Sequence, residues 1–126
     1  MTGNSVLQKL RWRDGLRGLV IDAPATYRRL LDKAGVQIEF DGEIGSGYEF
    51  IHVFATTTDR LRELGPLLAK VATPGLLLWV SYPKGSSIPT DLKRDVVWEV
   101  LSTFGIRPVM QVAIDEVWSA LRFRPA

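Results

Sequence analysis

Lys84 stands between Pro83 and Gly85, in the loop that follows the apolar run Leu76-Leu77-Leu78-Trp79-Val80 and Ser81-Tyr82. An ammonium in so constrained a loop can contact an anion or donate a proton to an oxyanion. It can equally tie strand ends together through a salt bridge to Asp22 or Asp115. The sequence adds Asp22, Thr26, Thr57, Tyr82, Ser86 and Asp115, with Ser81 and Ser119, in or beside segments where predicted strands end or turn. In an open α/β sheet such segments converge on the carboxyl edge of the strands, where ligands bind. Hydroxyls, two carboxylates and one ammonium suit a small polar or anionic ligand beside the helix start at Thr57-Thr58. Asp22 and Asp115 have the chemistry of an acid and a base, and equally that of side chains capping turns.

The composition narrows the chemistry further. Among 126 residues there is no cysteine and one histidine, His52. Disulfides, thiolate metal sites, cysteine nucleophiles and multi-histidine metal clusters are thereby excluded. His52 lies between Ile51 and Val53 in a strand pattern and reads as a core residue rather than a catalyst. No G-x-S-x-G elbow and no P-loop occurs. Gly42, Gly45 and Gly47 form a G-x-x-G-x-G pattern, the reverse of the dinucleotide fingerprint, and do not follow the first strand. The formal charge of +2 is too weak a field to imply nucleic acid. Lys9, Arg11, Arg13 and Arg17 cluster around Trp12. Without a repeated aromatic platform, that cluster reads as a solvated face with one tryptophan sealing the core edge.

The elements that must position these residues follow from periodicity. Asn4 or Ser5 can cap a short helix from Val6 to Leu10. A strand from Gly18 to Ile21 breaks at Asp22-Ala23-Pro24-Ala25-Thr26. Tyr27, Leu30, Leu31 and Ala34 then form one helical stripe, stopped by Gly35. With a second strand, Val36 to Phe40, this makes a βαβ unit whose crossover should be right-handed. The connection from 41 to 48 is too short for a crossover helix, so the next strand either pairs antiparallel or is reached by an extended loop. That strand runs from Glu49 to Ala55. Thr56-Thr57-Thr58-Asp59 opens a helix with Leu61, Leu64, Leu68 and Val71 on one side, which Pro66 should kink or restart.

The run from Gly75 to Tyr82 reads as a central strand buried on both faces. Thr90 is placed to cap a long helix reaching about Phe104. Trp98 falls outside that helix's apolar arc, near Arg94 and Asp95, and is therefore the candidate anchor of an interface, in the first instance a homodimer. Arg107 to Ile114 and Trp118 to Arg124 form an antiparallel hairpin across Asp115-Glu116-Val117, with Val117, Ser119, Leu121 and Phe123 on one face and Trp118, Ala120, Arg122 and Arg124 on the other.

Two stretches resemble the class I S-adenosylmethionine-dependent methyltransferase fold. Tyr48-Glu49-Phe50-Ile51-His52-Val53-Phe54 resembles its fourth strand. The segment from Leu68 to Val80, with Thr73-Pro74-Gly75 at its turn, resembles its fifth. The closing hairpin resembles its last two strands. Those enzymes carry a glycine-rich loop after the first strand, where backbone must approach the cofactor closely. Here Asp22-Ala23-Pro24-Ala25-Thr26 takes that place, so the usual cradle is missing. The acidic residue that such a fold sets on the ribose hydroxyls would be Glu39 or Asp41. A resemblance over nearly the whole chain is to the bacterial family called domain of unknown function 3052, carried by VIDAPATYRRLL, IHVFATT, LWVSYPKGSSIPTDLKRD and AIDEVWSALRFR. It implies a Rossmann-like fold without assigning an activity.

The sequence therefore predicts one α/β domain over residues 1–126: a three-layer, Rossmann-like, methyltransferase-like fold with a mostly parallel sheet and a C-terminal antiparallel hairpin. The function expected is a non-catalytic small-ligand-binding or protein-interaction module. The alternative is an enzyme that binds S-adenosylmethionine or a nucleotide through an unconventional loop, a degenerate methyltransferase. The candidate ligand residues are Lys84, Asp22, Thr26, Thr57, Tyr82, Ser86 and Asp115, and no metal is implied. No cofactor is named. Without a secretory start or an apolar run of membrane-spanning length, the expectation is a cytoplasmic protein with no membrane or nucleic-acid partner.

Overall fold

The computed structural model describes residues 5–126. Its elements run α1 (Ser5–Lys9), β1 (Gly18–Ile21), α2 (Ala25–Ala34), β2 (Glu39–Phe40), β3 (Phe50–Phe54), α3 (Thr58–Val71), β4 (Leu77–Pro83), α4 (Arg94–Ser102), β5 (Ile106–Ala113) and β6 (Trp118–Pro125). Every residue of β1, β3 and β4 is buried. Strands covered on both faces need two helical layers, and the chain supplies them. Leu61, Leu64 and Leu68 of α3 and Val97, Val100 and Leu101 of α4 pack on one face. Leu7 of α1 and Tyr27 and Leu31 of α2 pack on the other. The result is the predicted three-layer α/β fold.

The six strands lie in the order β2-β1-β3-β4-β6-β5. β1 pairs parallel with β2 and β3, and β3 parallel with β4; β6 pairs antiparallel with β4 and β5. Moving from β1 to β2 and from β3 to β4 takes the chain in opposite directions across the sheet. Right-handed crossovers then demand helices on opposite faces, and α2 and α3 sit so. The sheet therefore has a topological switch point between β1 and β3. The connection after β2 is an extended loop that carries the chain past β1 to its far side. Glu49 and Phe50 anchor its end through their N–H groups on the Arg17 carbonyl, at 2.8 and 3.2 Å.

Several boundaries differ from the sequence reading. β2 spans only Glu39–Phe40, because it pairs with the four-residue β1 over just two positions. α3 runs unbroken through Pro66. α4 begins at Arg94 rather than beside Thr90. The Thr90 hydroxyl accepts the Leu92 N–H at 3.0 Å and donates to the Thr56 carbonyl at 2.6 Å, so it organises a turn instead of a helix. Asn4 lies outside the described residues, and Ser5 is the first residue of α1. In the hairpin, Leu121 and Phe123 enter one core while Trp118 and Ala120 enter the other, as the alternation requires.

α3 and α4 approach closely at Gly65, where an added Cβ would sit inside van der Waals distance of the Phe104 ring, including its Cγ. Alanine raises helix propensity by about 1 kcal/mol over glycine, whereas overpacking costs about 1–3 kcal/mol. Gly65→Ala is accordingly expected to lower stability by about 1 kcal/mol, measured as the shift in urea midpoint.

Candidate functional site

The carboxyl ends of β1 and β3 flank the switch point, and the chain places charge there. Asp22 leaves β1 with φ of 58°, the left-handed region that aspartate tolerates better than most side chains. That geometry turns the backbone sharply toward α2. Asp41, with φ of 56°, leaves β2 in the same way, and its Oδ1 accepts the Asp22 N–H at 2.8 Å. Its Oδ2 lies 3.5 Å from Arg28 Nη1, whose guanidinium rests over the Phe40 ring. Arg60, in the first turn of α3, reaches across the switch point and donates from Nε to Asp22 Oδ2 at 2.9 Å. The Asp22 hydrogen bond, ahead of its charge and that of Glu63, raises the Arg60 pKa against a desolvation that lowers it. The two side chains remain 38 and 46 % exposed, so the pair is worth about 0–1 kcal/mol and can open without great cost.

Beside this pair lies an open cleft of about 480 Å³. Ile21, Asp22, Asp41, Gly42, Arg60 and Leu64 are among its walls. It is within the size range of small-ligand sites, roughly 300–1,000 Å³. α2 begins immediately beyond Asp22, and Pro24 at its N-cap gives its first turn no side-chain cap. Thr26 lies in that first turn, exposed. The start of α3 is different. Thr57 Oγ1 accepts the Arg60 N–H at 3.1 Å, and the Asp91 carboxylate takes the Thr58 N–H at 2.8 Å. The anion expected at that helix start is supplied by the chain itself.

The other candidates occupy different stations along the same edge. Lys84 follows β4, and its N–H donates to the Val117 carbonyl at 2.8 Å. Its ammonium forms no ion pair among the described residues, so neither Asp22 nor Asp115 is its partner. Asp115 caps the hairpin turn, its Oδ1 accepting the N–H groups of Val117 and Trp118, each at 2.8 Å. Tyr82 is buried, and its hydroxyl accepts from Gln111 Nε2 at 3.2 Å; Ser86 is exposed. Successive strands lie about 4.8 Å apart, which puts Lys84 roughly 10 Å and Asp115 roughly 15 Å along the edge from Asp22. Asp22 alone of the candidate ligand residues lines the cleft, with Asp41, one of the two acids that the methyltransferase resemblance offered for the ribose hydroxyls. Arg60 and Gly42 join them there. Arg60 carried one sequence signal: a cation in the first turn of a helix opposes the helix dipole, which points to a carboxylate nearby.

His52 belongs to the core. Its Nδ1 lies 2.9 Å from the Tyr27 hydroxyl and its Nε2 2.6 Å from Ser81 Oγ, while Phe54 stacks on the ring. A neutral imidazole satisfies both contacts, donating at one nitrogen and accepting at the other. This chain of three side chains joins α2, β3 and β4. Burial lowers the His52 pKa to about 3 and raises that of Tyr27.

Solved structures share this architecture. The chain is similar to magnesium protoporphyrin IX methyltransferase of Synechocystis PCC 6803, solved with bound SAH, at 10 % identity and a TM-score of 0.61 over 97 % of this chain and 82 % of that one. It is similar to a SAM-dependent methyltransferase from Aquifex aeolicus at 15 % identity, TM-score 0.59, over 94 and 87 % of the two chains. The CcbJ methyltransferase of Streptomyces caelestis matches at 7 % identity, TM-score 0.60, over 97 and 88 %. At such identities the likeness establishes a methyltransferase-like, Rossmann-like fold. No family model and no curated protein matches the chain, so the resemblance to domain of unknown function 3052 is not supported by them.

His52 also sets a pH dependence. In the unfolded chain it takes up a proton below about pH 6.5. In the folded chain it does so only near pH 3. Between these values the unfolded state binds more protons, so stability falls as pH falls. Denaturant titrations from pH 7.5 to 5 should show a loss steepening toward about 1.4 kcal/mol per pH unit. His52→Gln should flatten that slope whatever it does to stability at pH 7.5.

Proposed function

We propose that the protein binds a small adenosyl compound, S-adenosylmethionine, S-adenosylhomocysteine or a nucleotide, in the cleft at the carboxyl ends of β1 and β2. The observation that carries this reading is the cleft's position. It opens at the carboxyl ends of β1 and β2, against α3 and beside a half-exposed Asp22–Arg60 pair that reaches across the switch point and that a ligand can displace. Neighbours in fold were solved with SAH or SAM bound. The cradle proposed here differs from a glycine loop. The left-handed Asp22 makes the turn, α2 offers its first N–H groups, and Asp41, ending β2, faces hydroxyls. The charged groups are held by one another, Asp22 with Arg60 and Asp41 with Arg28, which supports recognition more than proton transfer. We place the protein in the cytoplasm, with the whole chain as one domain.

A second reading has one observation behind it. Trp98 on α4 is 49 % exposed, and an interface with another copy of the chain would cover it.

Thermal unfolding with S-adenosylmethionine, S-adenosylhomocysteine, nicotinamide dinucleotides and ATP separates these readings. A ligand near a hundred times its dissociation constant should raise the midpoint by several degrees, and adenosyl compounds should do so here. Asp41→Asn keeps the acceptor for the Asp22 N–H but loses the charge, and should weaken the same ligand about tenfold or more. No shift with any compound would contradict ligand binding at this edge and favour the interface reading.

A further inference from the structure

At the opposite edge of the sheet, where β3 and β4 begin, lies a second open cleft of about 560 Å³. Its walls include Arg11, Trp12, Arg13, Glu49, Leu77 and Arg122. In the carboxyl-edge cleft Asp22, Asp41 and Arg60 are held in ion pairs, whereas the cations of this one are not. Arg11, Arg13 and Arg122 form no ion pair among the described residues. The one acid in the walls, Glu49, is engaged elsewhere, its Oε1 accepting the Arg17 N–H at 3.0 Å. Two donors are closed off from solvent with no acceptor: the Trp12 indole N–H and the Arg122 Nε.

Each of these features is costly by itself. A buried N–H with no acceptor loses its hydration for nothing. Desolvation depresses the Arg122 pKa first, and the nearby charges of Arg11 and Arg124 depress it further. Other parts of the fold hold the arrangement in place. Trp12 packs edge-on against Phe50 with ring centroids 5.2 Å apart, and a Cβ on Gly18 would strike its ring. The Trp79 indole N–H donates to the Leu10 carbonyl at 3.0 Å, tying the end of α1 to β4. Arg11 follows with φ of 66°, a conformation arginine rarely adopts. On β6, Arg122 shares the face of Trp118 and Ala120 and is fixed opposite Trp79 by the strand register. The turn after α1, anchored through Trp12 and Leu10, and strand β6 therefore bring cations from two distant segments to one cleft.

We propose that this cleft is an anion site, taking the phosphate group, or an equivalent oxyanion, of a small molecule between Arg11, Arg13 and Arg122. Guanidinium groups match oxyanions with paired N–H donors, and an oxyanion would supply the ion-pair partner these three arginines lack. The cleft is larger than a bare phosphate needs. Trp12, Leu16 and Leu77 provide walls for an organic body attached to it. This site is separate from the adenosyl cleft, which lies at the other end of the strands, and stands or falls independently of it.

The probes are inorganic phosphate and a simple phosphomonoester, added at ionic strength matched with chloride. Wild type should show a saturable rise in unfolding midpoint of about 3 °C or more with either probe over chloride. Arg122→Met should lose that response. It should also melt no lower than wild type in chloride alone, since an unpaired, partly desolvated charge has been removed. Arg11→Gln, at an exposed turn, gives an independent variant that should weaken phosphate at least about fivefold while leaving the chloride midpoint unchanged. A response to phosphate no greater than to chloride overturns the proposal, as does an undiminished response in both variants. A short single-stranded oligonucleotide tests the other source of phosphate. If it binds with a steep salt dependence while free phosphate gives no saturable effect, the small-molecule site is overturned.

Discussion

The complete burial of β4 governs the rest of the structure. Seven residues, Leu77–Pro83, have neither face in solvent, and both edges are hydrogen-bonded, to β3 in parallel and to β6 antiparallel. Such a strand demands a helical layer on each side. With right-handed crossovers, this requirement places α2 and α3 on opposite faces and the switch point between β1 and β3. The polar groups that burial traps must be satisfied internally. Ser81 sits in β4 with no water to turn to, and His52 on the adjacent strand meets it while also reaching Tyr27 on α2. The helix layer, the neighbouring strand and the central strand are thus locked together by one neutral imidazole.

The two ends of the sheet manage charge in opposite ways. At the carboxyl edge, carboxylates and guanidiniums from β1, β2, α2 and α3 pair among themselves, yet stay half exposed. An exposed pair is weakly held, so the edge is both ordered and available. At the amino edge, Arg11, Arg13 and Arg122 gather around Trp12 with no ion pair among the described residues, and two donors are sealed away unpaired. A methyltransferase-like fold leads one to look at the first edge. The electrostatic imbalance lies at the second.

Features that depend on local pattern were legible in the sequence. The run from Leu76 to Val80 reads as a doubly buried strand because no polar residue interrupts it. The α2 stripe and its left-handed stop at Gly35 follow from spacing and from glycine's freedom at φ of 68°. The faces of the hairpin follow from simple alternation. What was not legible depends on partners distant in the chain. β2 shrank to two residues because β1 offers so few positions to pair. Thr90 looks like a helix cap until the Thr56 carbonyl and the Leu92 N–H claim its hydroxyl. The start of α3 looks ready for an external anion until Asp91, from a loop over thirty residues later, fills it. Arg122 looks like one outward position of a strand, and only packing against the α1 turn closes its Nε off from solvent without a partner. Of the candidate site, Asp22 was found from its position after β1, and Arg60 was missed although its place in a helix's first turn was unusual.

Backbone amide chemical shifts recorded during titration with S-adenosylhomocysteine would locate adenosyl binding residue by residue. Saturable shifts are expected only at the ends of β1 and β2 and the first turns of α2 and α3, at Asp22, Thr26, Gly42 and Arg60, with Trp12 and Arg122 unmoved. Shifts absent throughout, or gathered away from that edge, would contradict adenosyl binding there.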